Sequence, residues 1–405
     1  MPNGIMKGNG SKSNPWIVED GWDLNELRNL PTTEFQWVEI ENNISLAAFA
    51  NWVPIPLTRL NIEGNGCVIS DLHISTTSGH AGLFSRLITQ ETKNLTIDGE
   101  ITCRLDSNNG AGLFCGNLEW HVTNSTTPQT SNCSNIRCFG SISATASAAN
   151  AGVGGCIGAV FGQTNLTFVI DRCSFHGVLT FGATHSSSAS PSGTQFRACS
   201  GILGDGNSNS SASNTRVELT RCLTKAQFAC AGGPSPTGLG GILGGSRAAL
   251  GSSVSRCIAQ SHFSFVNSNP TTQPLWLAGI SPIEINQCAC ASCGAIMQID
   301  YSPPATIGGL NVGGIQGFRS SSLASSVSTS YAVIDFRNPN NMPLPATNAM
   351  RGIGQSVAPT ATFFDSTVLA KGWSGSVVGS EHGRTTAQLQ NRAYLESQGW
   401  VFSNV

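Results

Sequence analysis

Apolar and polar residues alternate along this chain in short runs that glycine and serine interrupt. In Ser174–Leu179 and Ile258–Phe263, every second position is apolar or small. A period of two indicates β-strands, because successive side chains of a strand point to opposite faces. The runs are roughly 4–6 residues long, which is the usual length of a strand. The pattern therefore predicts an all-β protein.

A phrase of glycine followed by an apolar residue, usually preceded by a small residue, recurs eight times. Its glycines are Gly82, Gly112, Gly155, Gly201, Gly241, Gly279, Gly314 and Gly352. The intervals between them run from 30 to 46 residues, a period typical of solenoids and propellers. The glycines indicate corners where the backbone approaches another coil closely or adopts a positive φ.

A second phrase, a polar residue followed by cysteine in a β-rich run, alternates with the first. It occurs at Arg137-Cys138, Arg172-Cys173, Arg221-Cys222, Arg256-Cys257 and Gln287-Cys288. Polar segments of variable length, such as 184–194 and 206–214, separate the phrases and are predicted loops on one side of a solenoid. Stacked coils align equivalent residues along the axis, and cysteine suits such a row because it is small and apolar. We therefore predict a right-handed parallel β-helix.

Both ends of the solenoid carry predicted capping helices. Asp23 as N-cap with Glu26 three residues later predicts a short helix through Leu30, and Thr385 with Gln388 predicts another to about Ser397. The predicted organisation is a flexible N-terminal tail over residues 1–13, an N-terminal cap over 14–60, β-helix repeats over 61–370 and a C-terminal cap over 371–405. Different terminal elements are expected because an open coil end exposes strand edges and core.

Composition narrows the classes of function. Of 405 residues, 11% are charged and 40% are hydrophobic, and the formal net charge is −2. The linear sequence shows no basic stripe and no run of like charges, so we expect neither nucleic-acid binding nor electrostatic membrane attachment. No apolar stretch approaches the roughly 18 residues that span a bilayer, so membrane insertion is not expected.

The first residues and the 14 cysteines bear on the compartment of folding. The segment 1–10 lacks the apolar core of a secretory signal, which leads us to expect folding in a reducing cytosol. The cysteines are interpreted as small buried apolar residues rather than as a disulfide framework.

Several passages resemble the GLUG-motif repeat family, β-helical proteins of bacterial adhesins and phage structural proteins. They are Asn14–Val18, Asp23–Arg28, Asn51–Ile55, Glu63–Leu72, Ala81–Phe84, Ala111–Phe114, Arg384–Leu389 and Gly399–Phe402. The resemblance covers roughly residues 14–118 and 361–405, and the middle of the chain departs from the signature. It implies a β-helix and a role in attachment. The family signature carries no catalytic residues to transfer.

Candidate chemistry is sparse. A glycan-cleaving β-helix needs two carboxylates in a groove, and the candidates are Asp98 with Glu100, Asp171 with Glu218, and Glu284. For the first pair we favour turn capping by Asp98 and a solvent-facing Glu100. The run Cys288–Cys293 suggests zinc, but it lacks a second pair of ligands and is interpreted as core. The histidines and glycine-rich passages match no catalytic or phosphate-binding motif, so no catalytic, cofactor-binding or metal-binding residue is predicted.

Tryptophans cluster at the two ends of the chain. Trp16, Trp22, Trp37 and Trp52 lie near the N-terminus, and Trp373 and Trp400 near the C-terminus. They are interpreted first as plugs of the open coil ends. Trp16, Trp22, Trp37, Trp52 and Trp373 are also the candidate contacts for a glycan or a partner protein.

These observations favour a non-enzymatic phage virion protein: a tail fibre, a tailspike-like appendage or a capsid decoration. We expect it to attach to the host surface through the outer face and loops of the β-helix, with host glycan as a candidate ligand. Its N-terminal region is expected to bind other virion proteins of capsid or tail, and its oligomeric state stays open. The alternatives are a secreted bacterial surface adhesin, located at the cell surface instead of the virion, and a glycan depolymerase.

Overall fold

The chain folds as a parallel β-helix with short helices, 62% strand and 8% helix, which confirms the predicted fold class. The computed structural model describes residues 6–106, 109–120, 128–146, 151–162, 165–183, 197–205, 215–230, 237–245, 251–265, 271–284, 288–301, 307–319, 326–338, 340, 348–353, 358–360, 362–369, 377–378 and 382–398. The predicted loops 184–194 and 206–214 lie outside these residues.

Each coil supplies up to four short strands, and each strand pairs in parallel with its equivalent in the next coil. The four resulting stacks are called ladders 1 to 4, in chain order within a central coil. Ladder 1 contains Trp16–Val18, Gln36–Ile40, Thr58–Glu63, the N-terminal parts of Glu91–Leu105 and Gln129–Ala146, Leu166–Asp171, Thr215–Thr220, Ser252–Ser255, Cys288–Ala291, Ser326–Ser328 and Ala358–Thr360.

Ladder 2 follows ladder 1 around a sharp turn. It contains Ile44–Ser45, Val68–Thr76, the C-terminal parts of Glu91–Leu105 and Gln129–Ala146, Ser174–Ala183, Leu223–Cys230, Ile258–Phe265, Gly294–Asp300, Tyr331–Arg337, Phe363–Asp365 and Gly383–Arg384. Its inward positions are buried and its outward positions are accessible, as in Leu223–Cys230. The alternation that predicted strands is therefore the alternation between core and surface.

Ladders 3 and 4 complete the coil. Ladder 3 contains Gly110–Ala111, Gly152–Gly154, Arg197–Ser200, Thr237–Gly240, Thr271–Ala278, Ile307–Gly313, Asn348–Arg351 and Val377–Val378. Ladder 4 contains Phe84–Ile88, Cys115–Trp120, Ile157–Gly162, Leu203–Asp205, Ser281–Glu284 and Gln316–Arg319. The recurring glycines lie at the turn between these two ladders.

The glycine corner depends on close approach. A Cβ atom on Gly201 would lie 2.6 Å from the carbonyl oxygen of Gly241 in the next coil, well inside van der Waals contact. The Gly201 amide instead donates to that carbonyl at 3.1 Å. None of the eight recurring glycines has a positive φ. Of the two reasons predicted for glycine here, close approach is the one that applies.

The turn between ladders 1 and 2, called the first corner, uses left-handed backbone without glycine. Its outward residues stack coil upon coil with φ between +46° and +59°: Asn94, Asn135, Arg172, Arg221, Arg256, Ser292 and Thr329. The next residue points inward, and these inner residues are Leu95, Ile136, Cys173, Cys222, Cys257, Cys293 and Ser330. The cysteine row that the repeat predicted is the inner row of this corner.

Two members of the predicted cysteine row were misplaced. Arg137 pairs with Ser174, so Cys138 lies opposite Phe175 rather than Cys173. Cys288 pairs with Ser252 in ladder 1, and Cys293 takes the inner corner position. The sequence could not fix this register, because both cysteines follow a polar residue and point into the same core.

The N-terminal residues differ from their prediction. The first helix, Gly21–Glu26, is capped by Asp20, which accepts from the amides of Trp22 and Asp23, and a 3-10 turn continues over Leu27–Asn29. The predicted N-cap was therefore three residues too late. Residues 6–13 are docked rather than a loose tail: Lys7 bridges to Ile17, and Trp37 donates its amide to the Gly10 carbonyl at 2.8 Å.

The C-terminal residues carry short helices at Ser366–Leu369, Thr386–Leu389 and Arg392–Ser397. Thr385 and Gln388 form the predicted capping box. The single helix predicted to Ser397 is divided, because Asn391 caps a new helix by accepting from the Tyr394 amide. Strands of ladders 1 and 2 lie before the predicted boundary at 60, and strands of ladders 2 and 3 lie after the one at 370, so the stack extends into the regions predicted as caps.

The core is thiol-rich. None of the thirteen described cysteines forms a disulfide, and twelve of them are buried. Burial raises the pKa of Cys103 and of Cys133 to about 12, which keeps these thiols neutral and unreactive.

Among the described residues, the helices are too short and too polar to cross a membrane.

Candidate functional site

The outward surface of ladder 2, from Val68–Thr76 to Tyr331–Arg337, is called the binding face. Seven large hydrophobic side chains of the described chain are exposed, and five of them lie here. They are Phe139, Val178, Leu223, Ile258 and Ile296, each 39–49% exposed. Exposed apolar side chains gathered on one surface mark a site of interaction.

One shallow cleft of about 530 Å³ lies on the central coils of the binding face. Its amide lining comes from Gln227, Gln260 and Gln298, and its apolar lining includes Val178 and Ile296. Amides that donate and accept beside aliphatic groups suit a sugar, which presents hydroxyls at its edge and C–H groups on its ring faces. We call this surface the amide cleft.

The amide cleft also contains an imidazole fixed by a carboxylate. His262 Nε2 and Asp300 Oδ2 are 2.6 Å apart, and Gln298 Nε2 lies 3.2 Å from the same carboxylate oxygen. His176 and Lys225 line the cleft as well. The lining can therefore bind either hydroxyl groups or an anion.

A second cleft of about 630 Å³ lies on the N-terminal coils of the same face and is acidic. Asp71, Asp98 and Glu100 line it, and His73 Nδ1 is 2.8 Å from Glu100 Oε1. Asp71 occupies a bulge at φ +60°. Its carboxylate accepts from the Ser45 and Ser70 hydroxyls at 2.6 and 2.9 Å, and these hydrogen bonds lower the pKa of Asp71.

The first predicted carboxylate pair therefore lies in a cleft. Asp98 and Glu100 are exposed in the middle of the strand Glu91–Leu105. Turn capping by Asp98 was a wrong interpretation, because Gly99 continues the strand and pairs with Gly140; the solvent-facing Glu100 is confirmed. Within the described part of the chain, no group of three or more histidine, cysteine or acidic residues could hold a metal ion.

The second predicted carboxylate pair, Asp171 with Glu218, is not stacked. Glu218 pairs with Val169, two residues before Asp171, and Asp171 pairs with Thr220. Asp171 Oδ1 accepts from Arg221 Nε at 2.8 Å and its other oxygen from Arg172 Nε at 3.1 Å. Asp171 is therefore engaged by two guanidinium groups rather than by a second carboxylate. Glu284 ends a strand of ladder 4, and its side chain lies outside the described residues.

The tryptophans divide between core and surface. Trp52 is 1% exposed, and its Nε1 donates to the Leu83 carbonyl at 3.1 Å, so a contact role for Trp52 is wrong. Trp16 is half-buried and donates from Nε1 to Gln36 at 3.1 Å. Trp37 is also half-buried, with Lys12 Nζ 4.6 Å above its ring. Trp22 is 46% exposed, and Trp373 lies outside the described residues.

Sequence reasoning missed a polar cluster in the N-terminal coils. Glu119 is 2% exposed and accepts from Arg86 Nε and Nη2, both at 2.7 Å. Nearby, His80 Nδ1 accepts from the Gly110 amide at 3.2 Å. Burial lowers the pKa of His80 to about 4. The sequence gives no signal of this cluster, because its members come from three separate strands and turns.

Comparisons with known proteins identify no family for this chain. No family model and no curated protein matches the chain. A solved structure of a candidate immunoglobulin A1 protease from Bacteroides ovatus matches with a TM-score of 0.46 and 17% identity, over 87% of this chain and 86% of that chain. A likeness this low carries no argument about activity.

Proposed function

We propose that this chain is a non-enzymatic attachment protein of a phage particle, a tail-fibre, tailspike-like or decoration subunit that binds host-surface glycan through the binding face. The observation that carries the proposal is the concentration of exposed apolar side chains and amides on ladder 2. A surface of this composition stabilises a bound sugar by covering its ring faces and replacing its hydration. The resemblance to adhesin-like repeats supports the same role.

The N-terminal end offers a separate surface for other virion proteins. Trp22 is 46% exposed and packs on Phe49 with ring centroids 4.9 Å apart, and Val53 is 60% exposed. An exposed tryptophan beside apolar neighbours is a typical anchor of a protein interface. This surface is distant in sequence from the amide cleft, which leaves the binding face open to the host.

The buried thiols support assembly inside a cell. Disulfides form in oxidising compartments and are rare in the cytosol, and the described cysteines of this chain pack as core residues without any disulfide. We propose that the protein is made in the host cytoplasm and is carried in the virion.

Two measurements test the proposal. Mass spectrometry of purified particles should detect the chain together with capsid or tail proteins. The purified full-length chain should also co-sediment with cells from a panel of bacterial strains, without shortening their surface polysaccharide. Replacement of Leu223 and Ile258 by serine should weaken that binding at least about tenfold, because two exposed apolar contacts are lost.

The matched control is Val53→Ser, which removes an exposed apolar side chain outside the binding face. It should leave cell binding unchanged. Equal binding by the Leu223/Ile258 variant and the wild type, or absence of the chain from particles, would contradict the proposal. A chain found only on bacterial cells would support the adhesin alternative instead.

A glycan depolymerase is the second candidate function, and the acidic cleft is the observation that favours it. Asp98 and Glu100 share the outward side of one strand, two residues apart, which corresponds to about 7 Å along the strand. A glycosidase needs two carboxyl groups at about this range of separation. Release of reducing ends from surface polysaccharide, abolished by both Asp98→Asn and Glu100→Gln, would establish this function in place of simple attachment.

A further inference from the structure

Three arginines from separate parts of the sequence form one row on the first corner. Arg172, Arg221 and Arg256 occupy the same corner position in three consecutive coils. Neighbouring coils lie about 4.8 Å apart, so the row presents one guanidinium per coil along the axis. We call this row the arginine edge. It corrects the expectation that the chain has no basic stripe, because 35 to 49 residues separate its members in the sequence.

Backbone preference does not explain arginine at this position. Arg172, Arg221 and Arg256 have φ of +52°, +55° and +55°, a left-handed conformation that costs most L-residues about 1–2 kcal/mol. Asparagine adopts it more readily, and the two preceding coils have Asn94 and Asn135 there. Arginine at this unfavourable position in three consecutive coils indicates a role beyond the turn itself.

The arginine edge retains positive charge. Asp171 is shared by Arg172 and Arg221, with nitrogen–oxygen distances of 3.1 and 2.8 Å. Within the described part of the chain, Arg256 forms no ion pair, and neither does Lys225 on the adjoining strand. Of these four described cations, only Arg172 and Arg221 are paired, and they share one carboxylate.

The neighbours of the arginine edge are suited to sugar rings. Leu223 and Ile258 lie two residues after Arg221 and Arg256, and they are 49% and 42% exposed. The amide cleft, with Gln227 and Gln260, begins on the same strands. A ligand that follows the axis would meet cations along one side and aliphatic and amide groups along the other.

We infer that the arginine edge and the amide cleft together bind an acidic polysaccharide that lies along the solenoid axis. Its carboxylate or sulfate groups would pair with the guanidinium groups, since arginine binds such oxyanions in bidentate geometry. Its rings would cover Leu223 and Ile258. This inference rests on the proposed function and specifies the ligand as anionic. Aliphatic and amide side chains beside the cations favour a glycan over single-stranded nucleic acid, for which aromatic stacking platforms are typical.

The test uses the full-length chain with Arg172, Arg221 and Arg256 replaced together by asparagine. Asparagine suits the left-handed corner, so the variant should fold as the wild type does. Binding to polygalacturonate and dextran sulfate, with neutral dextran as the uncharged probe, would be measured by biolayer interferometry at several salt concentrations. We expect the wild type to bind the two acidic polymers and the variant to bind them at least about tenfold more weakly, because charge-assisted contacts are lost.

The matched control replaces Lys7, Lys12 and Lys93 by glutamine, which removes three cations that lie outside both the binding face and the arginine edge. It should bind as the wild type does, and added salt should weaken wild-type binding because the contacts are ionic. Equal loss in both variants, no loss in either, or tighter binding of single-stranded DNA than of both acidic polymers would overturn the inference. Cell attachment that survives in the arginine variant would refute the anionic ligand and leave the proposed function standing; absence of cell attachment in the wild type would refute the proposed function.

Discussion

The N-terminal and central coils share one backbone path and differ in charge. Residues 14–105 contain twelve acidic and five basic residues, whereas residues 130–265 contain three acidic and eight basic ones. At the first corner, two asparagines precede the arginine edge: Asn135 donates to Asn94 at 2.9 Å, and Asn94 donates to Glu63 at 2.9 Å. The central coils carry the arginine edge at the same position. The net charge of −2 therefore conceals an acidic end and a basic middle.

This difference shows which side of the corner the fold constrains. The outward residue is at least partly exposed, and its identity changes from asparagine to arginine while φ stays between +52° and +59°. The inward residue is constrained, because the Cys222 amide donates to Cys257 Sγ at 3.3 Å and the Cys293 amide donates to Ser330 Oγ at 3.0 Å. Cysteine and serine each supply an acceptor to the preceding coil. A solenoid can thus vary its surface charge along the axis while it conserves its interior.

The largest expected effect on stability comes from His80 in the N-terminal coils and depends on pH. The pKa of His80 is lowered to about 4, below the usual value near 6.5, so the unfolded chain binds this proton more readily. The stability contributed by neutral His80 is present above pH 6.5 and is lost as the pH falls towards 4, by roughly 2–3 kcal/mol. Urea unfolding between pH 7 and pH 4.5 measures the loss.

The His80→Asn variant supplies the comparison. The asparagine carbonyl can accept from the Gly110 amide as His80 Nδ1 does, but it does not titrate. The variant should therefore lose less stability than the wild type over the same range. Parallel pH profiles for the two proteins would show that His80 is not the group responsible.

A smaller effect on stability is expected at the inner row of the first corner, in the central coils. Cys257→Ala removes the acceptor of the Cys222 amide and leaves a small cavity, so it should destabilise the protein by about 2 kcal/mol. Cys257→Ser keeps an acceptor in the same place, as Ser330 does two coils further on. Denaturant midpoints should rank serine above alanine. Equal midpoints would mean that packing alone, and not the hydrogen bond, selects cysteine here.

The sequence predicted what repeats locally and failed on what depends on register. Alternation identified the strands, the spaced glycines identified one corner, and the cysteines identified core. The sequence could not align Cys138 or Cys288, since neighbouring inward positions on a strand look alike. The sequence also could not bring Arg172, Arg221 and Arg256 together, because loops of unequal length separate them. Asp98 and Glu100 were found, because two positions on one strand need no register.

The smallest expected effect on stability is at the outward corner position. Arg221→Asn removes an exposed ion pair with Asp171, and exposed ion pairs contribute little to stability in water. It also relieves an unfavourable left-handed arginine. The two changes should nearly cancel, leaving the denaturant midpoint close to that of the wild type. The reverse substitution, Asn135→Arg, loses the hydrogen bond to Asn94 and places a less favourable residue in the left-handed conformation, so it should destabilise by about 1 kcal/mol. If Arg221→Asn instead cost several kcal/mol, the arginine edge would be part of the fold, and its proposed role in binding would lose its physical basis.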